Sequence, residues 1–247
     1  AGTLTLQQVT ASGDGNRSLT LNGDLFSFNG ALGTALNSLN NLTINDGNAF
    51  SIGVNVDAAG TVAFNTGGQI TQSAGVISAA NATFNPTAGG VNQAVAGGSL
   101  SLTGTLTVNG AGAFDFLNPL NAVGTLASGA GLSGATNYTT ASSVALGNFT
   151  SSGGGLAINH ATGTLSFNGT VSLAGAFVEG GTTGGVTVTG NSSIAVSGAN
   201  DITFGRPITL QANLTLNAGG AINLNTVTAD VAGTHTLDLT ANSFGAF

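Results

Sequence analysis

The chain has no cysteine, methionine, tryptophan or lysine, and only three prolines and one tyrosine in 247 residues. Without cysteine there is neither a disulfide framework nor a thiolate metal site. Without lysine, cationic charge rests on Arg17 and Arg206 alone, against nine acids, for a formal net charge of −7. A surface of that sign repels phosphate backbones, which excludes nucleic acid, and it offers no polybasic patch to an anionic membrane. No apolar run approaches the roughly 18 residues of a membrane-spanning helix, so no membrane insertion of that kind is expected. Charged residues make up 4% of the chain, against about 25% in an ordinary soluble domain. Such a chain offers little to oxidants or trypsin, because Arg206 precedes Pro207 and only Arg17 is an ordinary tryptic site. Exposure outside a cell fits that chemistry.

What is present is a rhythm. In "DITFGRPITLQANLTLNAGGAINLNTV" (201–227) the apolar residues come in doublets, Ile202/Phe204, Ile208/Leu210, Leu214/Leu216 and Ile222/Leu224. An amphipathic helix repeats every 3.6 residues, and this does not. Each doublet reads as a very short strand, and each gap is turn chemistry. Doublets recur from Leu4/Leu6 to Leu237/Leu239, with the turn words "LTLNG", "FSFNG", "LTVNG" and "LSFNG" among them. Asn-Gly tolerates positive φ and bends a chain tightly. With 41% hydrophobic residues spread so evenly, disorder is not expected.

A hairpin meander uses longer strands, whereas a parallel β-solenoid uses two or three short ones per coil. Phe64 to Phe84 is 20 residues, Leu165 to Val186 is 21, and Leu19 to Leu42 is 23. The spacing predicts an all-β, right-handed parallel β-helix, with about three short strands per coil of about 20 residues and about twelve coils. Residues 1–247 read as one domain with a loop-rich middle at 111–163, where doublets thin out and Pro119 and Tyr138 occur. The opening "AGTLTLQQV" carries no charged-then-apolar leader. It and the closing "HTLDLTANSFGAF" both keep strand rhythm. The piece is therefore expected to belong to a longer chain, or to associate with itself end to end into a filament.

"FSFNGALGTALNSLNNLTIND" (26–46), "LSFNGTVSLAG" (165–175) and "DITFGRPITLQANLTLNAGG" (201–220) resemble the β-strand repeats of filamentous-haemagglutinin-type adhesins and autotransporter passengers of bacteria. The resemblance implies a right-handed parallel β-helix, export to the bacterial cell surface, and an adhesive or scaffolding role with a host-surface or glycan ligand. "FNPTAGG" and "FLNPLNAVG" do not clearly match that family's secretion motifs, which points to shaft rather than export signal.

Candidate chemistry is sparse. "GAGLSG" (Gly129, Gly131, Gly134) has the form of a dinucleotide fingerprint but lacks the helix and the acid that should follow it, and reads as a glycine-rich loop. Asp24 and Asp46, 22 residues apart, would be stacked neighbours in a coil of that length, as a polysaccharide-cleaving pair requires. Each sits beside a turn, where Asp is a common turn former. His160 and His235 have no third metal ligand suggested by spacing, and Asp238 near His235 has no nucleophile motif. "GDGNRS" and "NDGNAF" look like calcium loops but lack the repeated acids. Thr-x-Thr pairs such as Thr105/Thr107 and Thr187/Thr189 resemble the faces of ice-binding solenoids, yet fall irregularly along the sequence. The expected reading is a structural or adhesive solenoid, not an enzyme, without cofactor or metal. The alternatives are an ice-binding solenoid and a polysaccharide-active β-helix.

Overall fold

The computed structural model describes residues 3–245; residues 1–2 and 246–247 of the two end segments lie outside the described residues. Every element assigned among the described residues is a strand. One sheet runs through eleven strands in an unbroken path from Leu19–Gly23 to Val227–Ala229. A second runs through ten, from Phe50–Ile52 to Ser243–Phe244. Neighbours within each are one coil apart and parallel, giving a β-solenoid of about 11 turns of roughly 21 residues, one fewer than the spacing predicts. The three spacings read from sequence are all true ladder partners: Phe64 with Phe84, Leu165 with Val186, and Leu19 with Leu42.

The third face changes identity partway along. In the first half it follows the second sheet, as Val56–Asp57, Val76–Ala79 and the opening of Ser99–Val108. From Phe149–Ser151 onward a separate five-stranded sheet stands between the long sheet and the second one. The corner therefore shifts within 111–163. That segment is not loop-rich: it carries Phe114–Phe116, Ala122–Ser128, Thr136–Thr140, Val144–Leu146, Phe149–Ser151 and Leu156–His160. Phe114/Phe116, Val144/Leu146 and Leu156/Ile158 are buried apolar doublets there, and only "TNYTT" gives all its inward positions, Thr136, Tyr138 and Thr140, to hydroxylated residues.

The doublets face inward. Ile202/Phe204, Ile208/Leu210 and Leu214/Leu216 are buried while the residue between each pair is less so. Phenylalanines continue the contact from coil to coil, Phe50 to Phe64 at 5.8 Å, Phe64 to Phe84 at 5.1 Å and Phe84 to Phe116 at 5.3 Å between ring centroids. Each such ring, fully buried, contributes about 1.5–3 kcal/mol. Toward the ends of the stack, Leu4, Leu19 and Leu237 are only partly covered, having fewer coils to lie against.

Asparagine and glycine do different work from that expected of turn words. Of the glycines in Asn-Gly pairs, only Gly110 has positive φ. Gly30 and Gly169 instead lie where a Cβ would press on the backbone of the coil beneath, at 2.6 Å from Gln8 N and 2.9 Å from Gly147 C. The asparagines satisfy main-chain groups at corners, where the strand ladder lapses. Asn41, Asn81, Asn148 and Asn213 each accept, through Oδ1, a backbone N–H of the next coil at 2.8–3.0 Å. A corner Asn followed by an inward apolar residue and an outward Thr spells Asn-x-Thr, which explains four of the eight glycosylation sequons, those at Asn41, Asn81, Asn148 and Asn213, as fold signals.

Leu214→Asp or Phe204→Asp places a charge among buried side chains, and each should cost about 3 kcal/mol or more. Asn217→Asp, on the outward side of the same strand as Leu214, should leave the melting temperature nearly unchanged. Equal losses from Leu214→Asp and Asn217→Asp would overturn the inward assignment.

Candidate functional site

The long sheet turns an ordered array of small side chains outward. Strand alternation places Thr20, Thr43, Ala63, Thr83, Thr107 and Ala127 in one column, a coil apart each time. Two residues along the strands, Asn22, Asn45, Asn65, Asn85 and Asn109 form a second column. Each Nδ2 there donates to the Oδ1 of the asparagine below, at 2.6, 2.8, 3.2 and 3.0 Å. On the other side, Thr105, Thr125, Ala145, Ser166, Thr187 and Thr209 continue a third column toward the far end. Thr105/Thr107 spans two of these columns and Thr187 lies in the third, whereas Thr5 pairs with Ser27 in a separate two-stranded sheet and Thr236 leads into the five-stranded one. Spacing along each column is about 4.8 Å. No member of the columns is charged. A shallow groove of about 340 Å³ follows the asparagines, lined by Asn45, Asn65, Asn85 and by turn residues that include Asp46. The amides and hydroxyls of the columns, at fixed intervals, suit a neutral, hydroxyl-rich or lattice-like ligand.

The other sequence candidates are placed as follows. Asp46 has Gly23, not Asp24, as its ladder partner, so the two carboxylates are not in register. Asp46 is buried; its Oδ1 accepts the Asn48 N–H at 2.9 Å, and its Oδ2 is without a partner. Asp24 is exposed. A Cβ at Gly129 or Gly131 would press on the Asn109 side chain at 2.6 and 3.0 Å, and one at Gly134 on the Gly112 carbonyl at 1.6 Å. Those glycines serve the close stacking of turns. His235 pairs with Asp230 at 2.8 Å on an exposed loop, and Asp238 lies beside Thr215 on the five-stranded sheet. In "GDGNRS", Asp14 accepts hydrogen bonds from the Ser38 N–H and hydroxyl.

His160 is the surprise. It lies inside the solenoid with its Nε2 2.6 Å from Glu179 Oε1, both side chains fully buried. Its Nδ1 is 2.8 Å from the Gly163 carbonyl, which only accepts, so Nδ1 carries hydrogen. The short contact to Glu179 then holds one further proton between nitrogen and oxygen. Glu179 Oε2 accepts the Arg206 N–H at 3.0 Å, and Arg206 Nε donates to Gly184 O at 2.8 Å. Three successive coils are joined at one corner. The signal was present in sequence, since strand alternation from Leu156 and Ile158 carries His160 inward and alternation from Phe177 carries Glu179 inward. Nearby, Tyr138 Oη is buried without a hydrogen-bond partner. Burial raises its phenol above the ordinary tyrosine value.

Comparison of the chain with protein-family models, with curated proteins and with solved structures finds no match. The likeness to β-strand-repeat adhesins therefore rests on residue pattern, and the β-solenoid is what pattern and structure share. The buried cluster has no route to solvent-borne substrate, since both partners are fully covered; its chemistry is that of a staple.

Glu179→Ala leaves His160 buried without its partner and should destabilise the chain by about 3–5 kcal/mol, measured by denaturant unfolding. His160→Leu combined with Glu179→Leu should recover most of that loss. A Glu179→Ala variant as stable as the parent would show that the pair joins nothing.

Proposed function

We propose that the chain is an extracellular structural or adhesive element, the shaft of a bacterial surface adhesin or the subunit of a filament. The observation that carries this reading is the unbroken parallel stack. Eleven strands in one path, at about 4.8 Å each, make a rod about 50 Å long with a continuous apolar interior. Each coil rests on its neighbours, so stiffness needs no lysine, disulfide or metal. Copies stack end to end in this reading. The uncharged columns of the long sheet supply the face toward a host surface or glycan.

The aligned threonines favour one second reading, an ice-binding face, which a thermal-hysteresis assay separates from the first.

Antibody against the chain should label intact cells that make it, without permeabilisation. Labelling only after permeabilisation would overturn the surface reading.

A further inference from the structure

Four asparagines precede a glycine: Asn22, Asn29, Asn109 and Asn168. Asparagine is among the thermolabile residues. Before glycine its amide carbon is open to attack by the next backbone nitrogen, because no Cβ stands in the way. The four share that local sequence and differ in what holds them. Asn109 is held at both ends of its amide: Nδ2 donates to Asn85 Oδ1 at 3.0 Å, and Oδ1 accepts the Gly131 N–H at 2.8 Å. Asn22 Oδ1 accepts Asn45 Nδ2 at 2.6 Å, and Gly23 closes a strand of the long sheet. The Asn168 side chain has no hydrogen-bond partner among the described residues. Its backbone is nonetheless fixed, since Leu165–Phe167 before it is laddered on both sides and Gly169 N lies 3.4 Å from Ser192 Oγ.

Asn29 is held least. It is exposed, and among the described residues neither its amide nor the Gly30 N–H has a hydrogen-bond partner. The strand before it, Phe26–Phe28, pairs with Leu4–Leu6 and is not laddered to Phe50–Ile52 of the next coil. A strand bonded on one side opens locally at small cost, and that freedom lets Gly30 N reach the amide carbon. The fold also keeps the labile pair in place. A Cβ at position 30 would lie 2.6 Å from Gln8 N, so glycine is required there.

We propose that Asn29–Gly30 is a self-modifying site that loosens the first coil as the protein ages, a property beyond its reading as a shaft. Gly30 N attacks Asn29 Cγ. The new N–C bond forms as the amide C–N bond breaks, and ammonia leaves with the backbone proton. The cyclic imide takes up a water, which opens it at either carbonyl to an aspartyl or an isoaspartyl linkage. Solvent water is the co-reactant. Both products add a negative charge, and the isoaspartyl one adds a methylene to the main chain. Asn29 N–H donates to Leu6 O at 2.9 Å before that point, and Val9 N–H to Ala31 O at 3.0 Å after it. A lengthened main chain between them cannot keep both bonds, so residues 4–9 loosen from the coil above. Coils further along touch only their own neighbours and stay closed.

Incubation of the folded 247-residue chain at mildly alkaline pH, followed by peptide mass spectrometry and enzymatic isoaspartate labelling, tests this. Asn29 should convert first. Asn109 should convert at least about tenfold more slowly, because two ordinary hydrogen bonds must break there. In guanidinium chloride the four rates should converge. Hydrogen exchange at residues 4–9 should rise in step with conversion. Asn29→Gln, whose longer side chain closes the larger ring reluctantly, should abolish both changes with an unchanged melting temperature. Equal rates in the folded chain, Asn109 ahead of Asn29, or the same order and spread in guanidinium chloride would overturn the site. Conversion at Asn29 without faster exchange at residues 4–9 would overturn the loosening.

Discussion

The whole architecture depends on the parallel main-chain ladder, which sets each residue about 4.8 Å above its counterpart one coil below. Once that spacing is imposed, every side chain must tolerate a near-copy of its neighbour at van der Waals distance. Apolar residues meet this by stacking inward, as Phe64 on Phe84. Asparagine meets it by joining its own amides into a chain, as Asn45 on Asn22 and Asn65 on Asn45. Charge meets it badly, because like charges at that distance repel. A composition with 4% charged residues is the outcome. Glycine abundance follows from the same constraint, since turns that lie on turns leave no room for a Cβ, as at Gly134 over Gly112.

Much of this was legible in the residues themselves. Doublets gave inward positions, and Leu19/Leu42 and Leu165/Val186 gave the register, because a buried face punishes a one-residue slip. The middle is the least legible stretch, for a physical reason. At 111–163 the corner moves from one side of the second sheet to the other, and in one strand there, Thr136–Thr140, the inward positions are Thr136, Tyr138 and Thr140. A search for apolar pairs cannot see a strand whose interior is hydroxylated. Asp24 and Asp46 were misplaced by one residue, since the coil between them is 23 long there, Gly23 meeting Asp46. Only Asn22 and Asn109 of the asparagine column fall in "NG" words, and Asn45, Asn65 and Asn85 precede other residues, so the amide ladder is legible only once the register is known.

Buried polarity in this solenoid is concentrated along the second sheet, from Gln72 and Gln93 through Asn121 and Thr140 to His160 and Glu179. Apolar columns alone resist slipping weakly, because one aliphatic contact resembles the next. Hydrogen-bonded groups without water have one good arrangement, so they fix which coil meets which. Their position brackets the shift of the third face, where register is hardest to maintain. A neutral exterior and an interior pinned in this way suit a shaft: the inside resists shear, while the outside stays available for contact.

The coil register is the central claim, and a chain without cysteine tests it cleanly. Parallel ladder partners stand within the Cα separation of about 4.4–6.8 Å that a disulfide spans, and residues two coils apart do not. Thr187 and Thr209 are partners, and Ser166 lies one coil further along the same outward column. Thr187→Cys/Thr209→Cys should oxidise readily to an intramolecular disulfide in the folded chain, while Ser166→Cys/Thr209→Cys should remain reduced. Rapid closure of the 166/209 pair with none at 187/209 would contradict the stacking described for this solenoid.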